Sequence, residues 1–414
     1  MTLLIENIKQ LVNTRESFHL LRGTELAQLP VIENAFVLIE NDIIAEYGHM
    51  YELEIKVPAL PAYRIDAAGQ FVIPCWCDSH THLVFPKSRE EEFIYKINGM
   101  NYLEIAARGG GILNSARVLQ ETSEKKLYEQ ATLRLDEIAR LGTGAVEIKS
   151  GYGLSLEGEL KMLRVIKRLK ENSGMIIRST FLGGHAYPLA YKEDHEGYID
   201  LIINGMLPVI AAEKLADFID VFCETGFFSP EEMERICKAG QRAGLIPKVH
   251  TNQINSIGGI EKAVGFSSLS VDHLETMTDN EIRILAESGT IGTLLPTAAF
   301  FLGMDYQPAR RMIDAGVAIA IASDYNPGSS PSGNMNFVAS LSCIQMKMLP
   351  EEVINAATIN GAYAMQAENI AGSITIGKKA NLIFTKPIPS LAYLPYSFST
   401  NLIDKVMLNG SFIQ

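Results

Sequence analysis

From about residue 90 to Tyr325 the chain alternates between two textures, and this rhythm constrains the fold more than any other feature. Helical stretches such as EKKLYEQATLRLDEIARLG and LEGELKMLRVIKRLKE repeat their apolar residues at helical spacing. Between them lie short apolar runs: GAVEIKS, MIIRSTFLG, DFIDVFCE, IPKVHT, LSVDHLE, GTIGTLLP and VAIAIASD. With FVIPCWCDSH as the first, about eight such strands precede Tyr325, and strand-helix units in that number close most economically into a parallel barrel. A (β/α)8 barrel is therefore expected over 73–373.

Residues 1–72 read as short strands with turns, TLLIENIKQLV, FVLIENDIIAEYG and YRIDAAGQFVIP, with Asn41 and Asp42 as a hairpin turn. The tail, 374–414, returns to strand character in SITIGKKANLIFTK and KVMLNGSFIQ. The two ends are expected to join in one small β-sandwich. No internal repeat or Pro/Ser-rich linker separates them from the barrel, so the parts should pack together and not be tethered.

The 414 residues, 47% hydrophobic and 20% charged, suffice for one such unit. A net charge of −12 disfavours a phosphate-binding surface, so nucleic acid is not an expected partner. Five cysteines, an odd number scattered through apolar segments, fit a reducing compartment better than a disulfide framework. The N-terminus lacks a leader pattern, and no stretch approaches the roughly 18 apolar residues of a membrane span. A cytoplasmic protein is expected.

In a barrel of this kind chemistry sits at the C-terminal ends of strands, so polar residues closing apolar runs carry the information. His80 and His82 in DSHTH are two apart and face the same side of an extended strand. Two imidazoles converging on one point suit zinc or iron, although an HxH pair alone fits a satisfied core pair equally well. His250 closes IPKVH, His273 closes LSVDH and Asp324 closes VAIAIASD. An HxH on the first strand, His on the fifth and sixth and Asp on the eighth resembles the amidohydrolase superfamily.

Asp324 is the expected general base and acid, taking a proton from water and returning it to a leaving nitrogen. His273 is expected to hydrogen-bond that water or polarise a carbonyl, the plainer alternative being a structural histidine. Lys149, ending GAVEIK, is where a carboxylated lysine bridging two metals would be sought; a salt-bridged or solvated strand-end residue is the favoured reading.

Longer strings resemble the imidazolonepropionase family over nearly the whole chain: DSHTHLVF followed by SREEEF, MNYLEIAARGGGI, EIKSGYGL, TFLGGHAYP, DVFCETGFFS, SDYNPGSSPS and AATINGAYAM. The resemblance implies hydrolysis of 4-imidazolone-5-propanoate to N-formimino-L-glutamate in histidine degradation, with a single zinc or iron held by His80, His82, His250 and Asp324. It also implies a homodimer. Arg89 matches a family substrate residue, and its planar fork suits the propanoate carboxylate. Tyr152 and His185, in Gly-flanked loops, match substrate contacts, as do Asn326, Gly328 and Ser329; Tyr102 is a weaker candidate that could equally be packing. The Gly run at 109–111 lacks the company of a phosphate motif and reads as a flexible substrate loop.

Two departures stand out. Where the family commonly has HADE, this chain has His250-Thr251-Asn252-Gln253. Gln253 cannot act as a base, yet it can hydrogen-bond a ring amide, so it is kept among the catalytic and substrate-binding candidates. The change motivates a second reading, a related amidohydrolase acting on another small heterocycle, and a third, an inactive binding barrel. Cys75-Trp76-Cys77 stands where the family has Gly and an apolar pair, a change that spares the ligands.

Overall fold

The computed structural model describes residues 2–100 and 110–413. Ahead of the barrel lie β1 (Thr2–Val12), β2 (Val31–Glu40), β3 (Ile43–His49), β4 (Tyr63–Asp66) and β5 (Phe71–Pro74). β2 and β3 form the expected antiparallel hairpin, with Glu40 opposite Ile43 and Asn41 at the turn with φ 58°. Asn tolerates that left-handed turn position better than most residues.

The barrel strands follow in strict order: β6 (Trp76–Thr81), β7 (Thr143–Lys149), β8 (Ile176–Gly184), β9 (Phe218–Cys223), β10 (Ile246–Thr251), β11 (Ser270–His273), β12 (Ile291–Leu294) and β13 (Ile319–Ile321). Every neighbouring pair in this path is parallel. The ring closes between β13 and β6 through a bridge from Thr81 to Tyr325, with His82 N donating to Tyr325 O (2.9 Å) and Asp324 N to His80 O (3.0 Å). Closure is thus made by the residues around the DSHTH histidines.

The connecting helices have clear local causes. Ser123 caps Glu124–Arg140, Ser155 caps Leu156–Asn172, and Ser229 with Glu232 forms a capping box ahead of Pro230–Arg242, where Pro occupies the first turn. In the first of these helices Leu127, Ala131, Leu135 and Ile138 form the buried stripe, spaced three and four apart. Each large apolar side chain so buried stabilises the fold by roughly 1.5–3 kcal/mol.

The tail supplies β14 (Leu382–Thr385), β15 (Ile403–Leu408) and β16 (Ser411–Phe412) to the N-terminal strands, in the order β16-β15-β14-β5-β1-β2-β3 with β4 beside β1. Ile5, Val37, Val72, Leu382 and Met407, from both ends of the chain, share one core. The run FVIPCWCDSH, read as one strand, is two: Phe71–Pro74 pairs with β1 and β14, and the barrel begins at Trp76. Among the described residues no helix is long and apolar enough to cross a membrane. All five cysteines are free thiols, and Cys75 and Cys77 are buried where the two sheets meet.

Candidate metal centre and active site

His80 lies on β6 with His82 just beyond it, His250 on β10, His273 at the end of β11, and Asp324 past β13. These are the first, fifth, sixth and eighth barrel strands. Their nitrogens and carboxylate oxygens converge. His82 and His250 bring Nε2 atoms to 3.3 Å of each other, and Asp324 Oδ1 lies 3.5 Å from His80 Nε2 and 3.6 Å from His82 Nε2. Ligand atoms of His80, His82 and His250 all lie within 4.8 Å of one another, as do those of His80, His273 and Asp324.

Carboxylates behind the rings set their orientation. Asp272 Oδ2 is hydrogen-bonded to His80 Nδ1 at 2.7 Å, and Asp220, which accepts from His250 N at 3.1 Å, brings Oδ2 to 2.8 Å from His250 Nδ1 without hydrogen-bond alignment. An Nδ1–H held toward an anion leaves the Nε2 lone pair facing the centre. Burial, then the charges of neighbouring Lys149 and the other rings, pushes His80 and His250 well below the ordinary histidine range; burial and then His185 do the same to His82. Neutral imidazoles are the ligating form. His80 Nε2 is buried with no hydrogen-bond partner. Three imidazoles that turn Nε2 toward one point beside a carboxylate fit a divalent cation.

Beneath the rings lies a set of charges that the sequence reading did not assemble. Lys149 Nζ contacts Glu147 Oε1 at 2.6 Å, Asp220 Oδ2 at 2.8 Å and Asp272 Oδ2 at 3.5 Å, all fully buried. Burial acts to lower the Lys149 pKa, but the three carboxylates outweigh it and raise it. Lys248 reaches the other oxygen of Glu147, and its ammonium also donates to Ser79 O at 3.0 Å. Lys149 is thus an ammonium held by salt bridges, on the second strand, and it is buried, not solvated. Asp78, also unassigned from sequence, accepts from Ser323 N (3.0 Å) and Ser323 Oγ (2.5 Å), tying β6 to the segment that carries Asp324.

Asp324 is raised to about 6 by burial, with His273 acting in the opposite sense. Its backbone φ is 52°, and His273 and Leu274 stand at 90° and 67°. Left-handed conformations at non-glycine residues cost energy and cluster at functional sites. Ser329 Oγ donates to Asp324 Oδ2 (3.1 Å). Asn326 Oδ1 accepts from the amides of Gly328 and Ser329 at 2.8 Å each, so Asn326 shapes this loop from within.

Arg89 lies against that loop. A Cβ on Gly328 would fall 2.3 Å from Arg89 Nη2, so only glycine leaves room for the guanidinium. Arg89 is nearly buried, 3.7 Å from Glu92 Oε2, and its Nε has no partner. His185 turns Nδ1 to Gly151 O at 2.9 Å and stacks on His82 at 5.3 Å between ring centroids. Burial takes its pKa down to about 4, leaving a neutral ring with Nε2 as acceptor. Tyr152 is buried 5.9 Å from the His82 ring and 5.5 Å from that of His185. Burial raises its hydroxyl pKa, with Arg89 pulling the other way.

Gln253 follows β10, half-buried, and its side chain has no polar partner among the described residues. Its loop is pinned from behind by Glu224, which accepts from the amides of Ile254 (2.8 Å) and Asn255 (3.1 Å). Tyr102 and Gly109 lie outside the described residues. Gly111 opens the helix Gly111–Glu121, its amide donating to Glu92 Oε1 at 2.9 Å.

A sequence profile of the amidohydrolase family matches residues 71–413. The chain is 57% identical over 415 residues to imidazolonepropionase of Flavobacterium johnsoniae, covering all of both proteins. It is 39% identical to that of Alkaliphilus metalliredigens, covering 99% of this chain and 97% of the other. Among solved structures, a zinc-bound adenosine deaminase from Xanthomonas campestris superposes with a TM-score of 0.71 at 18% identity, over 99% of this chain and 92% of that one. Guanine deaminase of E. coli gives 0.74 at 12%, over 100% and 99%. At such identities these two structures speak for the fold alone.

Proposed function

The chain belongs to the imidazolonepropionase family of amidohydrolases, and we propose that in it His80, His82, His250 and Asp324 hold one divalent metal, zinc or iron. It is a hydrolase of C–N bonds in cyclic amides, opening 4-imidazolone-5-propanoate to N-formimino-L-glutamate in histidine degradation. The observation that carries the metal reading is the convergence of neutral Nε2 atoms and the Asp324 carboxylate on one buried point.

A divalent ion bound there lowers the pKa of water and polarises the ring carbonyl. The side chains do the rest. Asp324 accepts the proton of the attacking water as the new C–O bond forms, and returns it to the ring nitrogen as the C–N bond breaks. His273, beside Asp324, stabilises charge on the carbonyl oxygen. Arg89, with a free Nε and little competition from solvent, takes the propanoate carboxylate. His185 offers Nε2 to a ring N–H, and Tyr152 its hydroxyl. Gln253 offers a neutral amide, and Ser329 braces the base. Nothing observed favours another heterocycle or an idle barrel.

The test is to mix metal-replete protein with freshly made imidazolone propanoate and follow loss of the ring's ultraviolet absorption, alongside Gln253→Glu. Turnover by the parent is expected. No turnover by either protein sinks the substrate assignment; turnover only in the variant means that Gln253 has disabled the site. We assign the enzyme to the cytoplasm, which the five free thiols support, and without nucleic-acid partners, which the net charge of −12 supports; we further assign it as a homodimer without membrane partners, and sedimentation tests the dimer.

A further inference from the structure

Glu275 plays no part in the chemistry above, yet it is the most conspicuous unexplained group near it. Its side chain is 2% exposed, and neither carboxylate oxygen has a hydrogen-bond partner. A buried carboxylate without a donor is expensive, and such groups persist where something in the working molecule needs them. Oε1 lies 3.5 Å from Nδ1 of His273, the outer edge of hydrogen-bonding distance, and that nitrogen also has no other partner.

The backbone is built to bring the two together. His273 and Leu274 are consecutive left-handed residues, φ 90° and 67°, a conformation that a leucine rarely adopts. The turn they make is held by Leu274 N donating to Thr251 O (3.3 Å) and Thr276 N to Asn252 O (2.9 Å). It sets the residue 273 and 275 side chains on the same side. The His273 ring also borders the reaction space, since one of its nitrogens, one of His80 and an oxygen of Asp324 lie within 4.8 Å of one another. His80 and His250 already show the same device, an imidazole with a carboxylate behind it.

We propose that Glu275 is the positioning residue of His273: it takes the Nδ1–H of the imidazolium and so fixes the ring with its Nε2–H toward the substrate carbonyl. The proposal rests on His273 acting in hydrolysis. It assigns a carboxylate to the pocket in a chain whose residue 253 is a neutral amide, but one that acts through His273 and not on substrate. Gln253 and Glu275 therefore have separate jobs, and restoring Glu at 253 does not replace Glu275.

A double-mutant cycle tests this. Glu275→Gln is expected to lower kcat about 10- to 100-fold, the usual cost of losing a carboxylate behind a working histidine, with KM and metal content close to the parent's. In a His273→Gln background the same change should alter kcat less than about twofold, because its effect passes through the ring. An equal loss in both backgrounds, a change confined to KM, or a variant that purifies without metal overturns the proposal. A second readout needs no turnover. In protein labelled with 15N-histidine, the Nδ1–H resonance that disappears in His273→Gln should move in Glu275→Gln, and an unmoved resonance is equally fatal. A parent that leaves imidazolone propanoate intact faults the functional reading, while the resonance still decides the contact.

Discussion

Replacing Lys149 by methionine removes one charge from the centre of the barrel while nearly keeping the volume. Lys149 and Lys248 stand against Glu147, Asp220 and Asp272, two cations against three anions, and all five side chains are fully buried. The variant leaves one cation against three anions, with Asp220 and Asp272 both stripped of their ammonium. Removing one partner from a buried charge set costs about 3–5 kcal/mol, since the orphaned charge has no water to turn to. At about 2.1 cal/mol/K per residue, a chain of 414 residues unfolds with an entropy near 0.9 kcal/mol/K, so the loss is a fall of roughly 3–6 °C in Tm. The same substitution frees the carboxylates that orient His80 and His250, and metal affinity should weaken about 10- to 100-fold. Scanning calorimetry of the metal-free protein reads the first effect, and competition with a chromophoric chelator the second. A metal-free Tm and a metal affinity that both match the parent's would refute the reasoning. Loss of Tm with unchanged affinity would show that the ammonium braces the core and not the ligands.

Gly328→Ala should crowd the guanidinium of Arg89 out of its seat and lower kcat/KM for the substrate by about 10- to 100-fold, mainly through KM, with Arg89→Met no worse when added to it. Metal affinity should be level above about pH 6 and fall about tenfold per unit below it. The raised carboxylate of Asp324 takes up its proton there, while the three imidazoles, lowered by burial, remain neutral. An Asp324→Asn variant that keeps the parent's pH dependence would exclude Asp324 as the competing group.

The rhythm of the sequence disclosed the barrel because period and length settle strand and helix without reference to partners. It also disclosed the strand-end histidines, since a polar residue closing an apolar run is visible in one dimension. What lay behind them was signalled only indirectly. Glu147, Lys149, Asp220, Lys248 and Asp272 stand within strands buried along nearly their whole length, and a charge inside a buried strand must find an opposite charge. Which charge it finds depends on β9, β10 and β11 standing side by side with β7 one strand further on, across β8, a fact of register that no local pattern carries. The split of FVIPCWCDSH has the same origin: Pro74 hinted at a break, but the assignment of Phe71–Pro74 to the outer sheet is decided by β14, some 300 residues away.

These buried charges also bear on how many ions the site is built to hold. The set beneath the rings sums to −1, from Glu147, Asp220 and Asp272 against Lys149 and Lys248. Asp324 adds −1, and the ligand imidazoles add nothing while neutral. With Arg89 and Glu92 neutral as a pair, Glu275 offset by the imidazolium of His273, and Asp78, which burial raises to about 7, counted as neutral, the total of −2 balances one divalent ion. A second divalent ion would leave the pocket at +2 in a region without water to screen it, where opposite charges at a few ångströms interact strongly. Lys149 stands among the carboxylates and already supplies the positive charge a second ion would bring. The Lys149→Met protein accordingly has −3 to satisfy, and metal titration of that variant gives the sharpest check. Uptake of a second equivalent would mean that the ammonium limits the parent to one ion, and uptake of two by the parent itself would break this charge balance outright.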